Sequence, residues 1–251
     1  MKTLFKFSLV LCFVFFCGCA RQEPEPGHSV IKVETFFPPQ ISQGSGFLID
    51  YKESRYLVSA AHLFIKGPFL SRILRLTYPD QTQETYYVTE ACFAQDVVVL
   101  KVQGNFHCRS FSPNETLPAE GEICFAYGFA RGRLCRNKGP IRGTKKVEFK
   151  KGTPWSFIAV ETRVFGGMSG GPMLYNGKVI GVISAQTRVD SYSTPISIAM
   201  SLIRSEEFGK ALGDENSSLK RARPKAYLHP RLRKNTNNSR ATPPCHQEKS
   251  P

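Results

Sequence analysis

FGGMSGGPM, Phe165–Met173, gathers four glycines and a proline around one serine, Ser169, in a chain that otherwise reads as short strands. A glycine costs roughly 0.5–1 kcal/mol in a regular element. The cluster therefore implies a backbone shape or a close approach that side chains would block, and the serine is the group to be approached. Two plainer readings compete. Gly-Gly and Ser-Gly pairs are ordinary turn signals, and Gly167-Met168-Ser169-Gly170-Gly171 also fits a G-x-S-x-G nucleophile turn, which needs a helix after the serine and acid and histidine partners further on. Here Gly171-Pro172 runs into MLYNGKVIGVIS, where Asn176-Gly177 between two apolar runs signals a hairpin. The helix that the second reading requires does not follow.

The partners of the serine decide between these readings. RYLVSAAHLF puts His62 directly after Ala60-Ala61 at the end of an apolar, strand-like run, where small neighbours let an imidazole lie against the backbone and face a cleft. In CFAQDVVVLKV, Asp96 opens a strand whose residues Val97 to Leu100 are continuously apolar, the pattern of burial on both faces. A carboxylate at such a point must be hydrogen-bonded or paired. Taken singly, the histidine reads as a packed structural residue and the aspartate as a strand-end residue. Taken together they run His, Asp, Ser in chain order, the order of the chymotrypsin-type triad and of neither subtilisin nor the α/β-hydrolases.

With these residues in hand the sequence resembles the trypsin-like serine proteases, and within them the bacterial HtrA/DegP-like branch. Four blocks carry the resemblance in the right order: GSGFLI at Gly44 to Ile49, LVSAAH at Leu57 to His62, QDVVVLKV at Gln95 to Val102, and GGMSGGP with KVIGVIS ending at Ser184. They cover roughly residues 30 to 212. The resemblance implies an all-β fold of two antiparallel six-stranded β-barrels with the active site between them. Barrel one is expected over 29–113 and barrel two over 118–200, in one protease domain spanning 29–213. The proline-containing stretch Phe111 to Glu122 would connect them, and a terminal helix is expected over 199–212, with Met200, Ile203, Phe208 and Leu212 on one face. Composition suits an all-β chain, with 12% aromatic residues, 20 glycines and 17 prolines among many short β-rich runs.

The resemblance assigns the chemistry residue by residue. Ser169 is the nucleophile of a serine endopeptidase, His62 the base that takes its proton, and Asp96 the group that holds the imidazole. The backbone N–H groups of Gly167 and Ser169 form the oxyanion hole. Ser184, Ala185 and Gln186 form the strand that pairs with a substrate peptide. Arg163, six residues before the serine, stands where the family places the floor of the first specificity pocket. Pointing inward it would favour an acidic residue at the cleavage site; pointing outward it is a solvated surface residue. One departure is Met168. Digestive members have an aspartate there that pairs with a newly cut N-terminus, and the HtrA pattern has asparagine, so activation by a new N-terminus is not expected. The chemistry needs no cofactor and no metal.

The two ends of the chain read differently. MKTLFK and the apolar FSLVLCFVFFC form a segment of signal-peptide length, shorter than the roughly 20 residues of a membrane-spanning helix. Gly18-Cys19 resembles a lipoprotein cleavage motif, with Phe16 where leucine is usual. Residues 1–19 are thus a signal, lipidated at Cys19 or cut by ordinary signal peptidase, and the mature protein is expected outside the cytoplasm, in the cell envelope. Of eight cysteines, Cys92, Cys108, Cys124, Cys135 and Cys245 lie beyond this segment, with no C-x-x-C pair and no zinc spacing.

The formal charge of +14 concentrates in 214–251, where KRARPK and RLRK precede NTNNSRATPP with little apolar periodicity. This reads as a disordered basic tail, either simply solvated or in contact with an anionic membrane or envelope surface. Nucleic acid is disfavoured, since the tail lacks interleaved aromatics. The function expected is an exported endopeptidase acting on polypeptide substrates. The alternative is a catalytically inactive, peptide-binding envelope lipoprotein on the same fold, with Met168 distorting the oxyanion loop.

Overall fold

The computed structural model describes residues 25–88, 91–102, 104, 106–147, 154–187 and 189–205. Residues 1–19, read above as a signal ending at Cys19, and 214–251, read as a basic tail, lie outside them. The described residues form two large β-sheets and a separate two-stranded hairpin, all with antiparallel strands, and one short α-helix at the end.

The first half of the chain supplies β1 (Val30–Phe37), β2 (Gln40–Tyr51), β3 (Ser54–Ala60), the short β4 (Ile65–Lys66) and β5 (Phe69–Leu70) hairpin, β6 (Ile73–Thr77), β7 (Gln83–Tyr87), β8 (Ala91–Ala94) and β9 (Val97–Val102). Seven of these strands pair in the order β7-β6-β1-β2-β3-β9-β8, with β4 and β5 apart. The expectation of a six-stranded first barrel is thereby modified. Among the described residues the sheet curls without closing by hydrogen bonds, and its edge strands are joined through side chains, Tyr86 of β7 and Phe93 of β8 packing on one core.

The second sheet is the closed six-stranded barrel expected, β10 (Ile123–Ala130), β11 (Arg133–Val147), β12 (Trp155–Val160), β13 (Pro172–Tyr175), β14 (Lys178–Gln186) and β15 (Ser191–Pro195). Its β13–β14 hairpin turns on Asn176-Gly177, both in the left-handed region at φ 48° and 73°. That is the geometry a two-residue Asn-Gly loop supplies. The connector behaves as a strap: Phe111 N–H donates to Leu48 O of the first sheet, and Val179 of the second exchanges backbone bonds with Ser112 and Asn114.

The helix α1 spans Ile196–Arg204 and starts directly from β15, three residues before the expected onset. The β-branched alternation through Thr194-Pro195-Ile196-Ser197-Ile198 reads as strand and hides that start. Ser205 is extended, and 206–212 of the expected helix lie outside the described residues.

Continuous apolar runs are explained by which core each face meets. Phe47 and Ile49 of β2, Val58 of β3 and Val97 and Val99 of β9 enter a cluster with Tyr127, Leu174, Val182, Ile196 and Ile203. This cluster lies between the two sheets and under α1. Their neighbours Leu48, Leu57, Val98 and Leu100 point the other way, into the interior of the first sheet. Strand side chains alternate faces, so a strand with a core on each side must be apolar throughout. Each fully buried Val, Leu or Phe contributes about 1.5–3 kcal/mol.

Glu34 is a carboxylate buried on a strand of the first sheet. Glu34 of β1 is 3% exposed and accepts hydrogen bonds from its cross-strand neighbours Arg75 (2.6 Å) and Gln43 (2.8 Å), with Lys32 Nζ at 3.0 Å. Burial alone would raise its pKa, but the hydrogen bonds and charges of Arg75 and Lys32 prevail and hold it below the ordinary carboxylate value. A depressed native pKa contributes stability that is present above the ordinary value and is lost as pH falls through the native one. Glu34→Gln should therefore lower unfolding stability at neutral pH by about 1.5–3 kcal/mol, measured by urea denaturation. The gap to wild type should narrow in acid, and a gap independent of pH would refute the assignment.

Candidate active site

His62 sits in a single 3-10 turn, Ala61–Leu63, at the end of β3. Asp96 belongs to the two-residue turn between β8 and β9, where Gln95 takes φ 50°. The two turns are laced together. Ala61 N–H donates to Asp96 O at 3.1 Å, and His62 N–H donates to Asp96 Oδ1 at 3.0 Å. His62 Nδ1 lies 2.8 Å from Oδ2 and 3.0 Å from Oδ1. An ionised carboxylate only accepts, so Nδ1 carries the hydrogen and the neutral ring keeps its lone pair on Nε2. Thr35, fully buried on β1, donates its hydroxyl to Leu63 O and fixes the turn from the other side.

The electrostatics of His62 oppose one another. Burial disfavours the imidazolium, while the charge and the hydrogen bond of Asp96 favour it, and the net pKa is raised above the ordinary imidazole value. The neighbouring carboxylate outweighs the loss of water.

Ser169 is half-buried in the loop between β12 and β13. Met168 before it is 0% exposed within the interior of the second barrel, and its N–H donates to Phe165 O at 2.9 Å. The loop is also held to the first sheet. Ser45 N–H donates to Ser169 O at 2.8 Å, and the Ser45 hydroxyl donates to Gly167 O at 2.8 Å. Gly170, at φ 85°, lies so close to β2 and β3 that a Cβ there would strike Ser45 O, Ser59 Oγ and Ala60 N. A Cβ on Gly44 would meet both Leu63 and Ser169 O. The serine loop thus packs backbone to backbone against β2 and the end of β3, the strand that leads into His62, at the junction of the two sheets. Glycine at 170 answers the need for close approach.

The other sequence candidates divide. Gly167 takes φ 101° beside the exposed Gly166. On one edge, β14 pairs with β13 only as far as Val182 and bonds the serine loop at Ile183, leaving Ser184, Ala185 and Gln186 with no strand against that edge among the described residues. Ser184 occupies a bulge between Ile183 and Ala185 and turns its hydroxyl to Thr194 Oγ1 at 3.0 Å. Arg163 is exposed, and its backbone carbonyl is the tethered part, accepting from Asn137 at 2.7 Å. Thr35, Ser45 and Ser59 escaped the sequence reading. All three are fully buried hydroxyls, which must find a partner, but their strands are not apolar enough for the sequence to announce that burial.

A trypsin-like peptidase domain matches residues 44–182, the span that holds His62, Asp96 and Ser169. The chain belongs to the trypsin-like peptidase family. Within the family it is 28% identical over 114 residues to the mitochondrial protease Do-like 12 of Arabidopsis thaliana, a match covering 43% of this chain and 23% of that relative. The Rv3671c protease of M. tuberculosis in its active form shares the fold at a TM-score of 0.60 and 18% identity, over 71% of this chain and 81% of that one. The HtrA-type protease AlgW, solved with a tripeptide, does so at 0.59 and 18%, over 71% and 60%. The trypsin-like, HtrA-like resemblance read from the four blocks is borne out.

The packing of the peptidase's serine loop yields a paired test. Gly170→Ala sets a side chain at positive φ against the first sheet and should lower stability by more than about 1 kcal/mol. Gly166→Ala, with open space around its Cβ position, should stay within about 0.5 kcal/mol of wild type. Thermal unfolding of both checks this, and equal effects would contradict the packing described.

Proposed function

We propose that this trypsin-like peptidase is a serine endopeptidase working through His62, Asp96 and Ser169. The observation that carries the proposal is the direct backbone packing of the Ser169 loop on β2 and on the end of β3, the strand that leads into His62, whose ring is already oriented by Asp96. A serine hydroxyl is a poor nucleophile at neutral pH, so Nε2 of His62 removes its proton as oxygen attacks the scissile carbonyl. Asp96 stabilises the imidazolium formed. The oxyanion of the tetrahedral intermediate accepts from the N–H groups of Gly167 and Ser169, donors worth on the order of 3–4 kcal/mol each. Collapse breaks the C–N bond, His62 returns the proton to the leaving amine, and the acyl group stays on Ser169 until water repeats the sequence. The free edge at Ser184–Gln186 supports binding of an extended peptide as an added strand.

A fluorophosphonate probe tests the nucleophile. Wild type should be labelled and Ser169→Ala should not, while turnover of a peptide substrate should fall about 10⁴- to 10⁶-fold in Ser169→Ala or His62→Ala. A well-folded wild type that takes no label would point instead to a peptide-binding protein.

The pH profile tests the base independently. His62 must be neutral to accept a proton, and its pKa is raised, so kcat/KM should fall as pH is lowered with a midpoint above the ordinary imidazole value. Asp96→Asn should remove that elevation along with most of the rate, and a profile flat through the acid range would exclude His62 as the base.

A further inference from the structure

Ser45 of β2 is 0% exposed, and every polar atom it owns is engaged. Its N–H donates to Ser169 O at 2.8 Å and its carbonyl accepts from Ser59 Oγ at 2.7 Å. Its hydroxyl accepts from Phe129 N–H at 2.8 Å and donates to Gly167 O at 2.8 Å. The direction of the last bond is forced. A backbone N–H can only donate, so the hydroxyl hydrogen is left for the carbonyl of Gly167. One side chain of the first sheet therefore joins β10 of the second barrel to the loop that carries Ser169.

We propose that Ser45 is a positioning residue for the oxyanion hole, its hydroxyl fixing the orientation of the Gly167 backbone. The inference rests on the reading of Gly167 as an oxyanion donor. Gly166 is exposed with open space around it, and Gly167 takes φ 101°, so no side chain within this pair restrains the peptide that carries the Gly167 N–H. The anchored unit is the following peptide. The Gly167 carbonyl is held by Ser45, and the Met168 N–H by Phe165 O. A peptide unit is planar, so holding both of these groups fixes the plane of the Gly167–Met168 peptide, and the Gly167 N–H, on the preceding peptide, can turn relative to that anchor only about φ and ψ of Gly167 itself. Removal of the hydroxyl releases that carbonyl and strands the Phe129 N–H. The loop then samples orientations in which the Gly167 N–H no longer faces the developing charge. Substrate binding along β14 uses other groups, so the loss falls on the chemical step.

The test compares wild type, Ser45→Ala and Ser45→Thr in the full chain, with a peptide substrate and with a peptide boronate, whose tetrahedral adduct on Ser169 places an oxygen in the oxyanion hole. Ser45→Ala should lower kcat about 10- to 100-fold, less than deleting a donor outright, with KM nearly unchanged and boronate affinity reduced in parallel. Ser45→Thr, which keeps a hydroxyl, should recover most of the rate. If Ser45→Ala does not fold, Ser45→Cys, close in size and a weak donor, is read in the same way. Unchanged kcat, a loss confined to KM, or a folded Ser45→Thr as slow as Ser45→Ala would each overturn the proposal. A wild type that neither cleaves nor takes the fluorophosphonate probe defeats the protease reading itself, whereas an active wild type with an equally active Ser45→Ala defeats this inference alone.

Discussion

The two sheets meet through a backbone hydrogen bond, Ser45 N–H to Ser169 O at 2.8 Å, made where side chains have been removed so that main chains can touch. Gly44 and Gly170 flank it, and a Cβ on either would collide with the opposite sheet or with the turn that follows β3. The geometry of the proposed site depends on this contact. His62 and Asp96 belong to the first sheet and Ser169 to the second, so their relative placement is set by how closely the sheets approach here. The apolar cluster between the sheets supplies the free energy of docking. The backbone contact supplies its register.

Each half of the site is then held by bonds of its own. The turn of His62 is fixed by Asp96 through two backbone N–H donors and the imidazole, and by Thr35 through Leu63 O. A carboxylate that orients a ring and stabilises its cation raises the pKa of a group that burial would otherwise keep neutral. The serine loop is held from within the second barrel by Met168, fully buried among apolar side chains. Digestive relatives resembling this chain use an aspartate at that position. In this chain the position is filled by apolar packing instead of an ion pair.

Placement in the trypsin-like peptidase family rests on a match to 44–182, and the shared fold with Rv3671c and AlgW rests on the two-sheet architecture at 18% identity. The chain spans 23% of the length of the Arabidopsis relative. The likeness therefore speaks for the peptidase unit itself.

Much of this was written into the chain. The glycines around Ser169, the apolar run after Asp96 and the Asn176-Gly177 turn are local signals, because each reflects steric or burial demands on a few consecutive residues. They are enough for an all-β chain with a His, Asp, Ser order. What the sequence could not express is any relation between residues far apart along it. The first sheet remains open because strand closure depends on how β7 and β8 pack. The start of α1 is hidden because Ile196–Ile198 alternates like a strand while docking decides its helicity. Arg163 is exposed because the fold of its loop, and not its spacing from Ser169, fixes where it lies. Ser45 looks like any small strand residue until the fold brings Phe129 and Gly167, 84 and 122 positions away, to its hydroxyl. Local chemistry is carried by neighbours in sequence, whereas a hydrogen bond across a domain exists only once tertiary packing has brought donor and acceptor within reach.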